Sequence, residues 1–569
     1  MADASESQNN KGRINLTSLL RRDFLGLGIG LAAGSALLPG LSGPLWAQGA
    51  PSTATPPASR SGVVVVGLSQ EPVSFHPLMP GVEVDEIIWT NIFSSLWVAH
   101  PDGSLVPDLA LEVPSIENGG IAEDGLFWTV RLRDDVKWHD GTAFTAEDVK
   151  FSLDLINVEG FRSRTRVGHA LVSDVTVVSP TEITWRMSEA FSPYLALLAN
   201  THMVPKHLLQ DATDPNDTPF GTAPVGTGPF RWGTRTPGDN ITLLAYEEYH
   251  GDGPYVEQSV LKYVPDMTSL YAQFRTGQVD AVIGSGIPHN FYEEAIALPD
   301  RNVVVVPSGN IELVMPNLGL DVLSHKEVRQ ALYYGMNKQV IIDAIYYGVP
   351  TSTESFAPRE SWAYNPDLEL QVYDPARANQ ILDDAGWVPG SGGVREKDGV
   401  RLAFKISTTT GNALREQVQQ LLIQDWAAIG VELSIENMPA AVIWGDFYVR
   451  SEFESLLVGT AFRTGLDPDP AARFASTAIP VKGGSGGNYM QWENAEADAL
   501  MIEGQTSFDQ ERRREIYYRL QEIVREELPI LPIWQYAPIE GTKSNLAGFT
   551  PNINQRQNAW NMKDWFWAG

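Results

Sequence analysis

The chain has 569 residues, 43% of them hydrophobic and 20% charged, with a formal net charge of −29 at pH 7. Its length predicts several domains, and its acidic balance argues against nucleic acid or an anionic membrane surface as a partner. The chain has no cysteine, which excludes disulfides, thiolate nucleophiles, cysteine-ligated zinc and iron–sulfur clusters.

Residues 1–47 have the pattern of a twin-arginine signal peptide. Arg21 and Arg22 precede the apolar, glycine- and alanine-rich run 27–38, which small residues follow. The alternative, a membrane anchor, is disfavoured because this run is shorter than the roughly 20 apolar residues that a span needs. Residues 48–61 are rich in Pro, Ser, Thr and Ala, and we expect a disordered spacer there. The twin-arginine export machinery is therefore an expected partner.

The rest of the chain alternates between strand and helix signals. Val63–Leu68 is a β-branched run that predicts the first strand. Thr145–Asp148 forms a capping box before an apolar helical face, and Ser324–Glu327 forms another, which predicts a helix reaching Tyr347. Further pairs of start and stop signals are Asp374 with Gly386, Asn412 with Gly430, and Asp509 with Pro529. The alternation predicts an α/β architecture.

Three polar clusters favour structural interpretations. His139–Gly141 is interpreted as a tight turn, because Asp and Gly supply the backbone geometry of a turn. His202 and His207 are separated by a proline and do not share a helical face, so no metal site is predicted. The run Glu511–Arg514 is interpreted as a solvated helix face. The motifs of hydrolases, zinc proteases, P-loops and dinucleotide-binding folds are missing, and we predict no catalytic residue and no cofactor.

Short motifs between residues 62 and 540 point to one family. They are Leu105–Ala110, Leu132–Gly141, Thr145–Val149, Val204–His207, Pro224–Phe230, Val328–Ala331 and Tyr373–Trp387. On these motifs the chain resembles the extracytoplasmic solute-binding proteins of the peptide/nickel ABC importer family, which includes the dipeptide- and oligopeptide-binding proteins. The resemblance implies a monomeric periplasmic receptor that delivers a small-molecule or peptide ligand, unaltered, to the permease subunits of an ABC importer in the inner membrane. A nickel or metal-chelate carrier of the same family, a hydrolase and a chaperone-like holdase are the alternatives.

The resemblance also implies an α/β, bilobed periplasmic-binding-protein fold with an inserted extra subdomain. The expected ranges are 62–95, 220–312 and 531–569 for a discontinuous lobe I, 96–219 for the inserted subdomain and 313–530 for lobe II. Two crossings of the chain, near 310–319 and 529–541, would form the hinge. Closure of the lobes would bury the ligand and present a matched surface to the transporter.

Alignment by motif implies which segments approach the ligand. The candidate ligand-binding residues are Phe75, His76, Arg359, Trp362, Tyr364, Ser407, Thr408, Thr409, Phe462, Arg463, Thr464 and Asn488. Phe75 and His76 could equally serve packing. The hydroxyl groups of residues 407–409 come just before a helix N-terminus, a position that suits a carbonyl or an anion.

The segment Thr460–Pro470 carries most of the information about the solute. In peptide-binding relatives this region supplies an Asp that pairs with the α-amino group of the peptide. Here Arg463 and Thr464 occupy that place, and no acid follows before Asp467. A free amine buried against Arg463 is unfavourable. We therefore expect an anionic solute such as an opine or an acidic glycoside, held by bidentate bonds, with a peptide-like solute and a metal chelate left open. The alternative role of Arg463 is a surface or inter-lobe salt bridge.

Overall fold

The computed structural model describes residues 54–461 and 466–569. The predicted signal peptide and part of the spacer lie outside the described residues. Within the described ranges, no helix combines the length and the apolar character needed to cross a bilayer.

The strands and α-helices of the described residues follow in chain order. The strands are β1 (Val63–Leu68), β2 (Trp97–Ala99), β3 (Leu105–Pro107), β4 (Phe127–Arg131), β5 (Val172–Ser179), β6 (Glu182–Met187), β7 (Phe230–Thr236), β8 (Asn240–Ala245), β9 (Gln258–Tyr263), β10 (Ala281–Ile287), β11 (Arg301–Val305), β12 (Asn310–Pro316), β13 (Thr351–Ser352), β14 (Val388–Pro389), β15 (Arg395–Lys397), β16 (Val400–Arg401), β17 (Ala403–Ile406), β18 (Glu432–Ile435), β19 (Ser455–Ala461), β20 (Leu531–Gln535), β21 (Ile539–Lys543), β22 (Leu546–Ala547) and β23 (Phe566–Trp567). The helices are α1 (Glu86–Ile92), α2 (Ala146–Asn157), α3 (Tyr194–Ala199), α4 (Lys206–Leu209), α5 (Met267–Arg275), α6 (Tyr292–Ile296), α7 (Asp321–Ser324), α8 (Lys326–Tyr334), α9 (Lys338–Tyr346), α10 (Pro375–Asp384), α11 (Ala413–Ala427), α12 (Ala440–Val442), α13 (Ala471–Phe474), α14 (Ala495–Thr506) and α15 (Gln510–Glu527).

A seven-stranded mixed sheet organises the first lobe. Its strand order is β11–β21–β10–β1–β9–β8–β7. Strand β1 pairs in parallel on both sides, with Val65 opposite Val260 and Val66 opposite Ala281. The predicted first strand is confirmed residue for residue. Because the sheet joins the start, the middle and the end of the described chain, this lobe is discontinuous in sequence.

A four-stranded sheet of order β13–β20–β12–β19 organises the second lobe. Its core includes Leu332 of α8, Trp426 of α11 and Ile533 of β20. We expected residues from 531 onwards in lobe I. Strand β20 instead pairs with β12, with Leu531 opposite Val314, so the two sheets divide between β20 and β21.

A third body, called the subdomain below, comprises residues 96–203 with the three-stranded sheet β4–β6–β5. Trp128 and Trp185 stack at its centre with ring centroids 5.7 Å apart, and both side chains are fully buried. Large aromatic rings each bury a large apolar area, which supports this core in a protein without disulfides.

The two chain crossings between the sheets are hydrogen-bonded to each other. Val306 N donates to Pro538 O at 2.9 Å, Ser308 N donates to Tyr536 O at 2.8 Å, and Tyr536 N donates to Asn310 O at 2.9 Å. The crossings therefore form one antiparallel ribbon. The first crossing lies a few residues before the expected range 310–319, and the second lies inside 529–541.

Local capping signals placed several helices correctly. The side chains of Thr145, Asp374, Asn412 and Asp509 cap α2, α10, α11 and α15, as predicted.

The predicted continuous helix from Ser324 to Tyr347 is wrong. Ser324 Oγ donates to Asp321 O at 2.7 Å, so it closes α7 and does not cap α8. Asn337 then starts α9, since its side chain accepts a bond from Val340 N at 3.2 Å. Its own N–H is taken by Asp425 of α11 at 2.9 Å, so a tertiary contact interrupts the helix.

His139 is a packing residue that ties the subdomain to the first lobe. Its Nδ1 accepts a bond from Gly226 N at 3.2 Å, which leaves the proton on Nε2 to be donated to Gly228 O at 3.0 Å. A Cβ added at Gly226 would lie 1.8 Å from the carbonyl oxygen of Ile92. These contacts support the structural interpretation of His139–Gly141. They also explain the glycines of the motif Pro224–Phe230 by close backbone approach.

We expect Gly226→Ala to lower the free energy of unfolding by about 3 kcal/mol, because its methyl group would collide with backbone that cannot move aside. Urea unfolding followed by tryptophan fluorescence measures the change. Gly221→Ala is the matched control, since an added Cβ there meets nothing within 4 Å. Equal midpoints for the two variants would contradict the packing role of Gly226.

Candidate functional site

Three of the predicted ligand segments contact β19 or the residues after it, a region called the candidate ligand face below. Thr408 Oγ1 donates to Leu457 O at 3.0 Å, and Trp362 Nε1 donates to Leu466 O at 3.2 Å. Asn488 Nδ2 donates to Phe474 O at 3.1 Å. Thr408 and Trp362 are thus bonded to residues 49 and 104 positions away in the chain, and Asn488 to a residue 14 positions away.

The candidates Phe462, Arg463 and Thr464 lie outside the described residues. The last described residue before them, Ala461, lies opposite Asn310 at the start of β12. Since Asn310 is bonded to the crossing ribbon, the segment that carries these candidates begins beside the hinge.

Arg359, Trp362 and Tyr364 retain solvent access. Arg359 is exposed and the other two are half-buried. The guanidinium of Arg359 donates to Ser352 O at 2.8 Å, and its backbone N–H donates to Gln535 Oε1 at 3.2 Å. Burial raises the pKa of Tyr364 above its usual value, so its hydroxyl stays protonated and can donate to a solute.

The three hydroxyl residues before α11 are not equivalent. Ser407 and Thr408 are buried, and the Thr408 N–H donates to Asn437 Oδ1 at 3.0 Å. Thr408 therefore holds the loop, with its hydroxyl already bonded to a carbonyl. Thr409, which bridges to Met438, is half-buried and is the member of the trio with solvent access.

Phe75, His76 and Asn488 are packed inside the protein. The ring of Phe75 lies 4.8 Å from that of Trp232. His76 packs edge-on against Phe220, and burial lowers its pKa to about 4. Asn488 is fully buried and spends its amide group on backbone carbonyls, among them Trp492 O at 2.7 Å. Asn488 Nδ2 also donates to Phe474 O and Ala475 O, so this side chain holds two loops together, and its role in ligand binding stays a prediction. The surroundings of Phe75 and His76 favour the packing role that the sequence left open for these two residues.

Sequence reasoning missed a buried charge network at the hinge. Arg415 Nε and Nη2 bind the two carboxylate oxygens of Glu312 at 2.7 and 2.9 Å, and the Tyr536 hydroxyl donates to the same carboxylate. Glu312 has no solvent exposure. No local signal could have revealed the network, because Glu312 stands 103 positions from Arg415 and 224 from Tyr536.

Both carboxylates of the Asp-Pro-Asp turn are engaged inside the protein. Arg513 Nη2 binds Asp467 at 2.8 and 2.7 Å. Asp469 accepts bonds from Gln505 Nε2 at 2.9 Å and Ala471 N at 3.0 Å. Arg513 is itself buried, which corrects the interpretation of Glu511–Arg514 as an entirely solvated face.

The two histidines considered as metal ligands have separate environments. His207 Nε2 pairs with Asp140 Oδ2 at 2.7 Å near the surface. His202 is buried beside a cavity of about 280 Å³, and burial lowers its pKa to about 3. Among the described residues, no group of three or more His, Asp or Glu side chains is arranged to hold a metal ion.

Comparisons with known proteins show which sequences and structures this chain is similar to. A sequence profile of the bacterial extracellular solute-binding proteins, family 5 (middle region), matches residues 104–479. The chain belongs to this family. It is 24% identical to the oligopeptide-binding protein AppA of Bacillus subtilis, covering 90% of this chain and 92% of the relative. It is 28% identical to the nickel-binding periplasmic protein of Escherichia coli, covering 81% and 87%.

Among solved structures, NikZ from Campylobacter jejuni in complex with Ni(L-His) superimposes with a TM-score of 0.75 and 25% identity, covering 88% of this chain and 99% of NikZ. The resemblance inferred from the motifs and the bilobed α/β fold are confirmed. This family 5 protein is a transport receptor and not an enzyme. The names of its relatives span peptides and nickel, so membership of the family does not fix the solute.

In this family 5 protein we expect Asp469→Asn to stabilise the fold at neutral pH. Burial, followed by the nearby Asp467, raises the pKa of Asp469 to about 6. The folded state therefore binds more protons than the unfolded state between about pH 4 and 6, and stability falls as pH rises through that window. The amide should remove this loss, raising the free energy of unfolding at pH 7 by on the order of 2 kcal/mol.

Urea denaturation at pH 4.5 and pH 7 measures the effect. Asp467→Asn is the control, because it leaves the buried Arg513 without a counter-charge and should destabilise the protein at pH 7. Destabilisation of similar size by both substitutions at pH 7 would contradict the assignment.

Proposed function

We propose that this chain is a periplasmic receptor for a small anionic solute, such as an opine or an acidic glycoside, which it delivers to an ABC importer. The proposal rests on the observation that both carboxylates of the Asp-Pro-Asp turn are already bonded inside the protein. Asp467 is bound by Arg513, and Asp469 by Gln505 and a backbone N–H. Neither carboxylate is therefore available to the α-amino group of a peptide, while Arg463 stands in the same segment.

In this proposal Arg463 holds the anionic group by two parallel hydrogen bonds, a geometry that guanidinium and carboxylate share. Trp362 and Tyr364 offer aromatic surface to the carbon skeleton, and Arg359 and Thr409 offer further donors. Thr408 and Asn488 support loops beside these groups through their bonds to backbone carbonyls. A metal chelate also presents carboxylates, so the nickel-carrier alternative uses the same arginine and must be separated by experiment.

The proposed movement is closure of two lobes about the crossing ribbon. Lobe I would comprise 62–95, 204–312 and the residues from 539 onwards, since Val204 and Leu209 pack in its core. Lobe II would comprise 313–535, and the inserted subdomain 96–203. Closure buries the solute, which strengthens its hydrogen bonds in a medium of lower dielectric constant. The receptor would act as a monomer, with the permease subunits as its partner.

We expect Arg463→Ala to weaken binding of an anionic solute at least 100-fold, since two charge-assisted hydrogen bonds are lost. Mass spectrometry of the solute that co-purifies identifies the class, and calorimetry then compares an opine, an acidic glycoside, a neutral dipeptide and nickel–histidine. Arg519→Ala is the matched control, because Arg519 pairs with Glu496 and Glu522 on an exposed helix face and should leave affinity unchanged. Unchanged affinity in Arg463→Ala, or selective binding of the dipeptide, would overturn the anionic assignment.

We also propose that residues 1–47 direct export by the twin-arginine route. Replacing Arg21 and Arg22 by lysine should leave a full-length precursor in the cytoplasm, because the translocation machinery reads the arginine pair. Cell fractionation with immunoblotting compares this variant with the unaltered chain and with a host that lacks the translocase. Processed variant in the periplasm, or processed protein in the host without the translocase, would contradict the proposal.

A further inference from the structure

The second lobe touches the subdomain through two side chains that are not part of the crossing ribbon. Phe508, in the turn between α14 and α15, lies with its ring centroid 6.3 Å from that of Trp128 in the subdomain core. Leu466, directly before the Asp-Pro-Asp turn, packs against the same core. Two apolar side chains of one body thus complete the hydrophobic core of another.

The ring of Phe508 packs into a space beside Gly125 of the subdomain. A Cβ added at Gly125 would lie 2.6 Å from Cε2 of Phe508 and 3.0 Å from the Cβ of Ala190. The ring edge therefore occupies space that a side chain at position 125 would fill. Beside it, the buried Ser192 donates its N–H to Gln505 O at 2.8 Å and its hydroxyl to the same oxygen at 3.1 Å. The contact combines apolar insertion with directional hydrogen bonds.

Hydrogen bonds link the contact that Phe508 and Leu466 make with the subdomain to the candidate ligand face. Leu466 O accepts the indole N–H of Trp362. The backbone that meets Ser192 also accepts a bond from Arg513, whose Nε lies 2.8 Å from Gly504 O. Arg513 in turn holds Asp467, and the Gln505 side chain holds Asp469. Seating of Leu466 and Phe508 against the subdomain therefore orients Trp362 and the Asp-Pro-Asp turn together.

We infer that Phe508 and Leu466 are positioning residues that latch the second lobe onto the subdomain and thereby set the ligand face for capture. The ribbon joins the second lobe to the first lobe, and the latch joins the second lobe to the subdomain, so the angle between the bodies is held by two contacts. A hinge alone leaves one rotation free, and a second contact removes it. The inference does not depend on the charge of the solute, so it stands apart from the anionic assignment.

The test uses the absence of cysteine from the chain. Glu117→Cys in the subdomain and Ile502→Cys on α14 give two labelling sites on opposite sides of the latch, and the Ile502 side chain is 63% exposed. Spin-label distance distributions are recorded on the mature protein, alone and with the low-molecular-mass extract of its host cells. We expect a short-distance population in the otherwise unaltered protein. Phe508→Ala and Leu466→Ala should each reduce the ratio of short to long distances at least tenfold.

Three further variants separate a latch from ordinary packing. Leu370→Ala removes a leucine of the same lobe that is 64% exposed and should leave the distances unchanged. Phe508→Leu should restore part of the short population. Gly125→Ala should act like Phe508→Ala on the distances when Phe508 is present. Because Gly125 has a φ of +72°, the variant is also strained, so in the Phe508→Ala background it should lower the unfolding temperature with no further effect on the distances.

Thermal unfolding identifies any variant that fails to fold. The latch substitutions whose products do fold then decide whether the proposal holds. The latch is overturned if the labelled protein never shows the short population under either condition. It is also overturned if the folded Phe508→Ala and Leu466→Ala variants keep the parental ratio, since a merely structural role would lower the unfolding temperature without shifting the distances.

Discussion

The arrangement of the protein depends on the hydrogen-bonded ribbon formed by its two chain crossings. Backbone bonds join Val306 to Pro538 and Ser308 to Tyr536, so the crossings bend as one element. The seven-stranded sheet continues into one end of the ribbon through β11 and β21, and the four-stranded sheet continues into the other through β12 and β20. Because β12 also carries β19 as its neighbour, the end of β19 at Ala461 lies where the bodies are joined.

Buried charge pairs determine which groups remain for a solute. In low dielectric, a charge that loses its partner is strongly unfavourable, so Glu312 with Arg415 and Asp467 with Arg513 are constrained to stay together. The overall charge of −29 therefore says little about the ligand face. What counts there is that the acids of the Asp-Pro-Asp turn are taken, whereas Arg359 is exposed and bonded to a carbonyl.

The motifs that place the chain in its family are mostly packing devices. His139 is bonded to the backbone of Gly226 and Gly228, and Gly226 is required by the proximity of Ile92 O. Such contacts preserve the junction between the subdomain and the first lobe whatever the solute is. The motifs therefore identify a receptor without identifying its cargo, and the relatives are named for peptides and for nickel.

The sequence by itself determined the family, the α/β class, the first strand and the helix starts at Thr145, Asp374, Asn412 and Asp509. The helix starts are local features, since a cap and its N–H partner lie within a few residues. The family was recognised from the order of short motifs along the chain, which requires no knowledge of tertiary contacts. Only the tertiary structure decided that Asn337 interrupts a helix, that Arg513 is buried, that Thr408 and Asn488 hold loops, and that Leu466 and Phe508 reach the subdomain. Each of these outcomes depends on burial or on a partner far away in the chain. A local sequence pattern contains neither the free energy of desolvation nor the contacts between distant segments.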